Sequence, residues 1–205
     1  MINTLKSVLA VLILSTLTTT AYAGVGANFG YGSDYIFRGM TQTGGEGSAF
    51  GSVDIDMGGF YAGVWTGEVD LSGADRETDM YVGYAMDLGQ FGVDISYIDY
   101  SYSGNDSLDG SEVWLSGSYG DMSVLYVLGQ DGYDDYTEFG YKLPVGIDMS
   151  FGTWDNMGDH VKISRDFDIP VWGLGASVSY VDFTADSNSG LLDEDSIVFS
   201  ISKSF

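Results

Sequence analysis

His160 is the chain's single histidine, so any imidazole-centred acid–base or nucleophilic chemistry rests on it. Ser164 lies four residues on and Asp159 adjoins it, which are the residue types of a hydrolytic triad. In a strand, however, residues i and i+1 face opposite sides. No nucleophile elbow accompanies the serine. The sequence therefore assigns no catalytic residue, and His160 reads as a loop histidine.

Carboxylates are the second chemical signal. Asp131, Asp134 and Asp135, and again Asp182, Asp186, Asp193, Glu194 and Asp195, offer the oxygens of which Ca2+ takes roughly six to eight. Neither run has the spaced Asp/Asn loop closing on Glu that builds such a site. They read as a solvated acidic rim, with no metal and no cofactor assigned. Beside phosphate-rich lipid such a rim would gather divalent cations non-specifically.

The remaining charged residues take meaning from the elements that carry them. From Gly24 onward the repeating signal is period-two alternation broken by Gly/Asp/Asn clusters. Val53, Ile55 and Met57 oppose Asp54 and Asp56. Thr137, Phe139, Tyr141 and Leu143 oppose Glu138 and Lys142. Ile147, Met149 and Phe151 oppose Asp148, and Ile197, Phe199 and Ile201 oppose three serines, with Val198 an exception on the polar face. Apolar towards lipid and polar towards a lumen is the pattern of a membrane barrel. A soluble sandwich would show the same alternation with its sides reversed. On the barrel reading the inward charged residues are Asp54, Asp56, Asp94, Glu138, Lys142, Asp148, Lys162 and Asp166. A water-filled lumen so lined would favour cations, whereas a lumen sealed by salt-bridged side chains is the alternative.

The connections favour the barrel. Twelve strands are expected, centred near Phe29, Val53, Val64, Val82, Ile95, Leu115, Val124, Phe139, Met149, Ile163, Val178 and Phe199, with ten to fourteen within the slip of boundaries. Short turns follow the even-numbered strands, at Gly58-Gly59, Asp87 to Gln90, Gly120-Asp121, Pro144 to Gly146 and Asp168 to Pro170. Longer, mostly acidic links follow the odd ones: Asp70 to Glu77, Gly104 to Ser111, Gly129 to Asp135, Trp154 to His160 and Thr184 to Asp195. The first, Gly39 to Gly47, is long but carries only Glu46. Short turns at a periplasmic rim and long loops outside are the membrane-barrel arrangement.

Composition agrees. The chain holds 30 Gly, 15 Tyr and 11 Phe but only 2 Pro and no Cys. A disulfide-free exported protein needs another source of stability, and a closed barrel supplies it by pairing every backbone group. The net charge of −23 argues against nucleic acid as a partner. A mean hydropathy of +0.05 despite 30 acidic residues implies that the charges are segregated. Residues 1–23 read as a secretory signal peptide, with Lys6, an apolar run from Val8 to Leu17 and a small-x-small site at Ala21-Tyr22-Ala23. Residues 24–205 are expected to form one barrel domain.

The stretch Ser33-Asp34-Tyr35-Ile36-Phe37-Arg38-Gly39-Met40-Thr41-Gln42-Thr43 resembles the N-terminal signature of the TorF-type porin family. Gly59-Phe60-Tyr61-Ala62-Gly63-Val64-Trp65 and Glu77-Thr78-Asp79-Met80-Tyr81-Val82-Gly83-Tyr84 look similar too. The resemblance is specific over about residues 24–100 and diffuse afterwards. It implies an outer-membrane barrel with a porin role, and supplies no catalytic residue and no settled substrate. Within the signature, Tyr35 and Phe37 are expected as girdle aromatics. Arg38 is expected at the rim, pairing with nearby carboxylates, with a constriction residue as the lesser alternative because one Arg makes no charge ring. Phe205, the terminal aromatic, resembles an assembly signal for outer-membrane barrels.

The reading is an all-β, closed antiparallel transmembrane β-barrel, exported to the bacterial outer membrane, that passes small cationic or neutral solutes and is not an enzyme. Its expected partners are outer-membrane lipids, lipopolysaccharide and the barrel-assembly machinery, with homo-oligomerisation left open. A structural or surface-interaction barrel with a shut lumen is the second reading, and an outer-membrane lipid hydrolase the third.

Overall fold

A computed structural model describes residues 24–205; the expected signal peptide, residues 1–23, lies outside the described residues. The strands are β1 (Gly24–Gly32), β2 (Ile36–Phe37), β3 (Met40–Thr41), β4 (Ser48–Met57), β5 (Phe60–Leu71), β6 (Ala74–Asp87), β7 (Phe91–Ser103), β8 (Gly110–Tyr119), β9 (Met122–Gln130), β10 (Tyr136–Lys142), β11 (Asp148–Trp154), β12 (Gly158–Ile169), β13 (Leu174–Ala185) and β14 (Glu194–Ser204). All but β2 and β3 form one closed antiparallel barrel in which each strand pairs with its sequence neighbours. Twelve strands therefore close on themselves, and each of the expected strand centres falls inside one of them.

Closure occurs where β1 meets β14, in a register running from Asn28–Ser204 to Gly32–Ser200. It continues past the last strand: Phe205 N–H donates to Ala27 O at 2.9 Å and Ala27 N–H to Phe205 O at 3.3 Å. With no open edge, all backbone polar groups at membrane depth are satisfied between strands.

Alternation sets the two faces. Val53, Ile55, Val82, Ile95, Phe139, Phe151, Phe199 and Ile201 are exposed on the outside and form an apolar belt. Their neighbours Ser52, Tyr81, Ser96, Gly152 and Val198 are buried on the inside. Large apolar side chains outside and polar ones inside reverse a soluble sandwich, and identify a membrane-spanning barrel.

Both chain ends and the short turns share one rim. The opposite, extracellular rim carries the longest links, 33–47, 104–109 and 186–193. Two links expected to be long are instead strand. β5 and β6 meet at a turn on Ser72 and Gly73, with φ of +49° and +94°, and β11 and β12 are separated only by residues 155–157. Glu77, expected as the end of the first of these links, is instead a strand residue: with Asp79 it points inward from β6, and both are buried.

Candidate constriction inside the barrel

Wall side chains fill a barrel of about eight strands; more strands leave room inside. Here the first extracellular link enters that room. β2 and β3 pair as Ile36↔Thr41 and Phe37↔Met40, joined by Arg38 and Gly39 at φ +47° and +94°. Two positive φ values make the tight turn whose twist suits a two-residue hairpin. Gly39 is required twice over, since a Cβ there would lie 2.6 Å from His160 Cβ and 2.9 Å from Phe183 Cδ2. The hairpin tip thus rests on the inner wall of β12 and β13. Asp34 organises its base, accepting from the Thr41 and Thr43 hydroxyls at 2.7 Å each. Asp70 N–H donates to Gln42 O at 2.7 Å, and Thr41 N–H to Glu194 Oε2 at 3.1 Å, fastening the base to the barrel mouth.

Arg38 is consequently not a rim residue; it is 7% exposed, inside the lumen. Its Nη1 and Nη2 donate to Glu112 Oε1 and Oε2 at 2.8 and 2.6 Å. Glu112, on β8, is fully buried and also accepts from Tyr100 Oη and Trp114 Nε1, both at 2.8 Å. Four rings surround the guanidinium carbon: Tyr136 at 4.5 Å, Phe37 at 4.6 Å, Trp154 at 4.9 Å and Trp114 at 5.7 Å. A bidentate charged pair with desolvated cation–π contacts outweighs a screened pairing at the water-exposed rim. That difference explains the inward location.

Tyr35 and Phe37 follow Arg38 inward and are not girdle aromatics. Tyr35 packs on Trp65 at 5.4 Å, and Phe37 meets Trp154 and Tyr100 edge-on at 5.7 and 6.3 Å. Burial, with the charges of Glu77 and Asp79 beside it, pushes the Tyr35 phenol well above its ordinary range, so it stays neutral.

The eight inward candidates stand on the inner wall. Glu138 joins the extracellular half, accepting from Tyr136 Oη at 2.7 Å and lying 3.3 Å from His160 Nε2. His160 is therefore not a loop residue: it is a buried wall residue on β12, stacked 6.0 Å from Tyr136. Gly152 makes room for that stack, since a Cβ there would lie 2.9 Å from His160 Nδ1. Asp159 faces away from His160 along the strand, so no triad assembles. The other seven candidates lie towards the periplasmic half. Lys142 and Asp148 form an ion pair at 3.6 Å across β10 and β11. Asp54 accepts from Ser52 Oγ at 2.9 Å and from the Tyr81 hydroxyl, and Asp94 accepts from Tyr61 Oη at 2.9 and 3.0 Å. Asp56, Lys162 and Asp166 keep access to solvent.

The two halves of the lumen differ in kind. Outwards it is filled by the hairpin and by Trp65, Tyr100, Trp114, Tyr136 and Trp154. Inwards it is lined by small polar residues, among them Ser116, Ser150, Ser164, Ser177 and Ser200, all partly accessible. In the links, the acidic residues mainly fix local structure. Asp131 accepts from Ser111 Oγ, Asp134 from Asn156 Nδ2, and Asp135 from Gly129 N–H and Tyr126 Oη.

Glu112 and the aromatic cage were missed by sequence reasoning, though a signal existed. Glu112 and Trp114 alternate with Val113 and Leu115, and Arg38-Gly39 is flanked by apolar residues as a hairpin turn would be.

Among solved structures, the chain is similar to "KdgM porin", at 11% identity and TM-score 0.56, over 88% of this chain and 99% of that one. A membrane protein described in "Unveiling the Mechanism Behind the in-meso Crystallization of Membrane Proteins" is similar at 11% identity and TM-score 0.54, over 88% of this chain and 83% of that one. At such identities the likeness bears on the fold alone, that of a closed β-barrel. No curated protein matches the chain. The family described as "Bacterial protein of unknown function (Gcw_chp)" matches residues 17–190. The hairpin signature and eleven of the twelve barrel strands fall wholly within that match, and only β14 lies beyond it. The chain belongs to the Gcw_chp family.

Proposed function

We propose that this barrel is a porin-like channel of the TorF type in the outer membrane, allowing passive diffusion of small solutes, with cationic or neutral ones preferred. The observation that carries the reading is the accessible, serine-lined periplasmic half of the lumen. Residues that point inward yet keep solvent access, such as Asp56, Lys162, Ser164 and Asp166, face lumen water. A barrel serving only as a scaffold has no need of a wet interior. Inward carboxylates outnumber inward cations, which sets a negative potential that attracts cations. Export by the N-terminal leader and assembly by the outer-membrane machinery, with lipopolysaccharide around the outer rim, belong to the same proposal.

The test is the reversal potential across a KCl gradient in planar bilayers. The parent should prefer K+, most strongly in dilute salt because screening reaches about 10 Å at 0.1 M. Asp54→Asn with Asp56→Asn should weaken that preference while preserving shape. Anion preference in the parent would overturn the cation reading, and an unchanged double variant would remove Asp54 and Asp56 as its source.

One observation favours the second reading, a closed structural barrel: the hairpin fills the extracellular half with nearly inaccessible side chains. The two readings part on conductance, which a permanently shut barrel lacks even when the hairpin is removed.

A further inference from the structure

The cage around Arg38 is built almost wholly by the barrel and not by the hairpin that fills it. Glu112 and Trp114 stand on β8, Tyr136 on β10 and Trp154 on β11; only Phe37 arrives with Arg38. The carboxylate does not depend on Arg38 for its orientation, because Tyr100 Oη and Trp114 Nε1 hold Glu112 Oε2 from the wall. What the wall presents is a fixed carboxylate with both oxygens aimed at a planar fork, bounded by three ring faces. Arg38 itself is incompletely satisfied there: the guanidinium binds through its Nη edge, while its buried Nε has no hydrogen-bond partner.

We propose that this cage is a binding site for small solutes bearing a guanidinium group, which compete with Arg38 for Glu112 and thereby release the β2–β3 hairpin from the lumen. Two parallel N–H donors match the two carboxylate oxygens, and a weakly hydrated planar cation suits aromatic walls. A compact, strongly hydrated ion would use the carboxylate but leave the ring faces unmatched. Because the solute enters only when Arg38 has left, its binding shifts the hairpin towards the released state. The gating consequence rests on the channel reading; binding in the cage does not.

Isothermal titration calorimetry of the refolded full chain in detergent, with methylguanidinium chloride as probe, tests the site. Methylammonium chloride and KCl serve as controls. Arg38→Ala should bind methylguanidinium at least about tenfold more tightly than the parent, because the internal competitor is gone. Adding Glu112→Gln to Arg38→Ala should abolish the heat, and this pair leaves no unmatched buried charge to unfold the barrel. Adding Trp154→Leu instead, with Glu112 kept, should weaken binding severalfold. No binding to Arg38→Ala, or binding retained without Glu112, overturns the site. Equal binding of methylammonium or K+ overturns the guanidinium assignment. Binding to Arg38→Ala with no conductance in any variant sustains the site and overturns the channel reading instead.

Discussion

Arg38 and Glu112, 74 residues apart in the chain, meet in a bidentate ion pair whose two contacts are 2.6 and 2.8 Å long. One comes from the turn of the first link and the other from the wall of β8, so the pair fixes a loop to the interior of the barrel. Breaking a buried pair by removing one partner costs about 3–5 kcal/mol. The hairpin can relieve that cost by leaving the lumen, which exposes Arg38 to protease. Glu112→Gln is therefore expected to raise trypsin cleavage after Arg38 by at least about a hundredfold, since each 1.4 kcal/mol is about a factor of ten. Mass spectrometry of the fragments checks this, and an unchanged rate would show that the pair does not hold the loop.

Gly39 is the second restraint on the hairpin. Its φ of +94° and the proximity of His160 and Phe183 leave no room for a side chain. Gly39→Val combines backbone strain of about 1–3 kcal/mol with a steric clash. The barrel strands should persist while the hairpin is displaced, so Trp65, Trp114 and Trp154 gain water. The expected result is a red shift of tryptophan emission with unchanged far-ultraviolet circular dichroism. An unshifted spectrum would mean that the wall accommodates the side chain.

Phe205 lies on the outside, 72% exposed, with its ring edge-on to Phe29 at 6.4 Å. Its backbone also pairs with Ala27 across the seam that closes the barrel. Deleting Phe205 is expected to lower the yield of folded barrel at the membrane more than Phe199→Leu does, because Phe199→Leu keeps both the belt and the seam. Heat-modifiable mobility on denaturing gels measures the folded fraction. Equal yields would remove Phe205 from assembly.

The barrel was legible because period-two alternation acts strand by strand and survives boundary errors; Ile55 against Asp54 and Phe139 against Glu138 each announce a face. The constriction was far less so. Alternation says which way a strand residue points and is silent about a link, so nothing local placed Arg38 inside. Its partner was hidden for another reason: Glu112 is the third residue of β8, close to the link that precedes the strand, where a carboxylate resembles the acidic rim. Glu77 is hidden likewise, because Asp70 and Asp75 extend the acidic run across a two-residue turn. His160 was read as a loop residue since Gly158 resembles a turn glycine, whereas β12 starts there and carries the imidazole inward.

The most direct measurement compares single-channel conductance of the refolded parent with a variant in which residues 34–43 are replaced by a short Gly-Ser linker, both in planar bilayers. A channel whose extracellular half is occupied by the β2–β3 hairpin predicts small or infrequent steps in the parent and larger, long-lived steps in the variant. Silence from a correctly folded variant would contradict the channel reading and leave a closed structural barrel in its place.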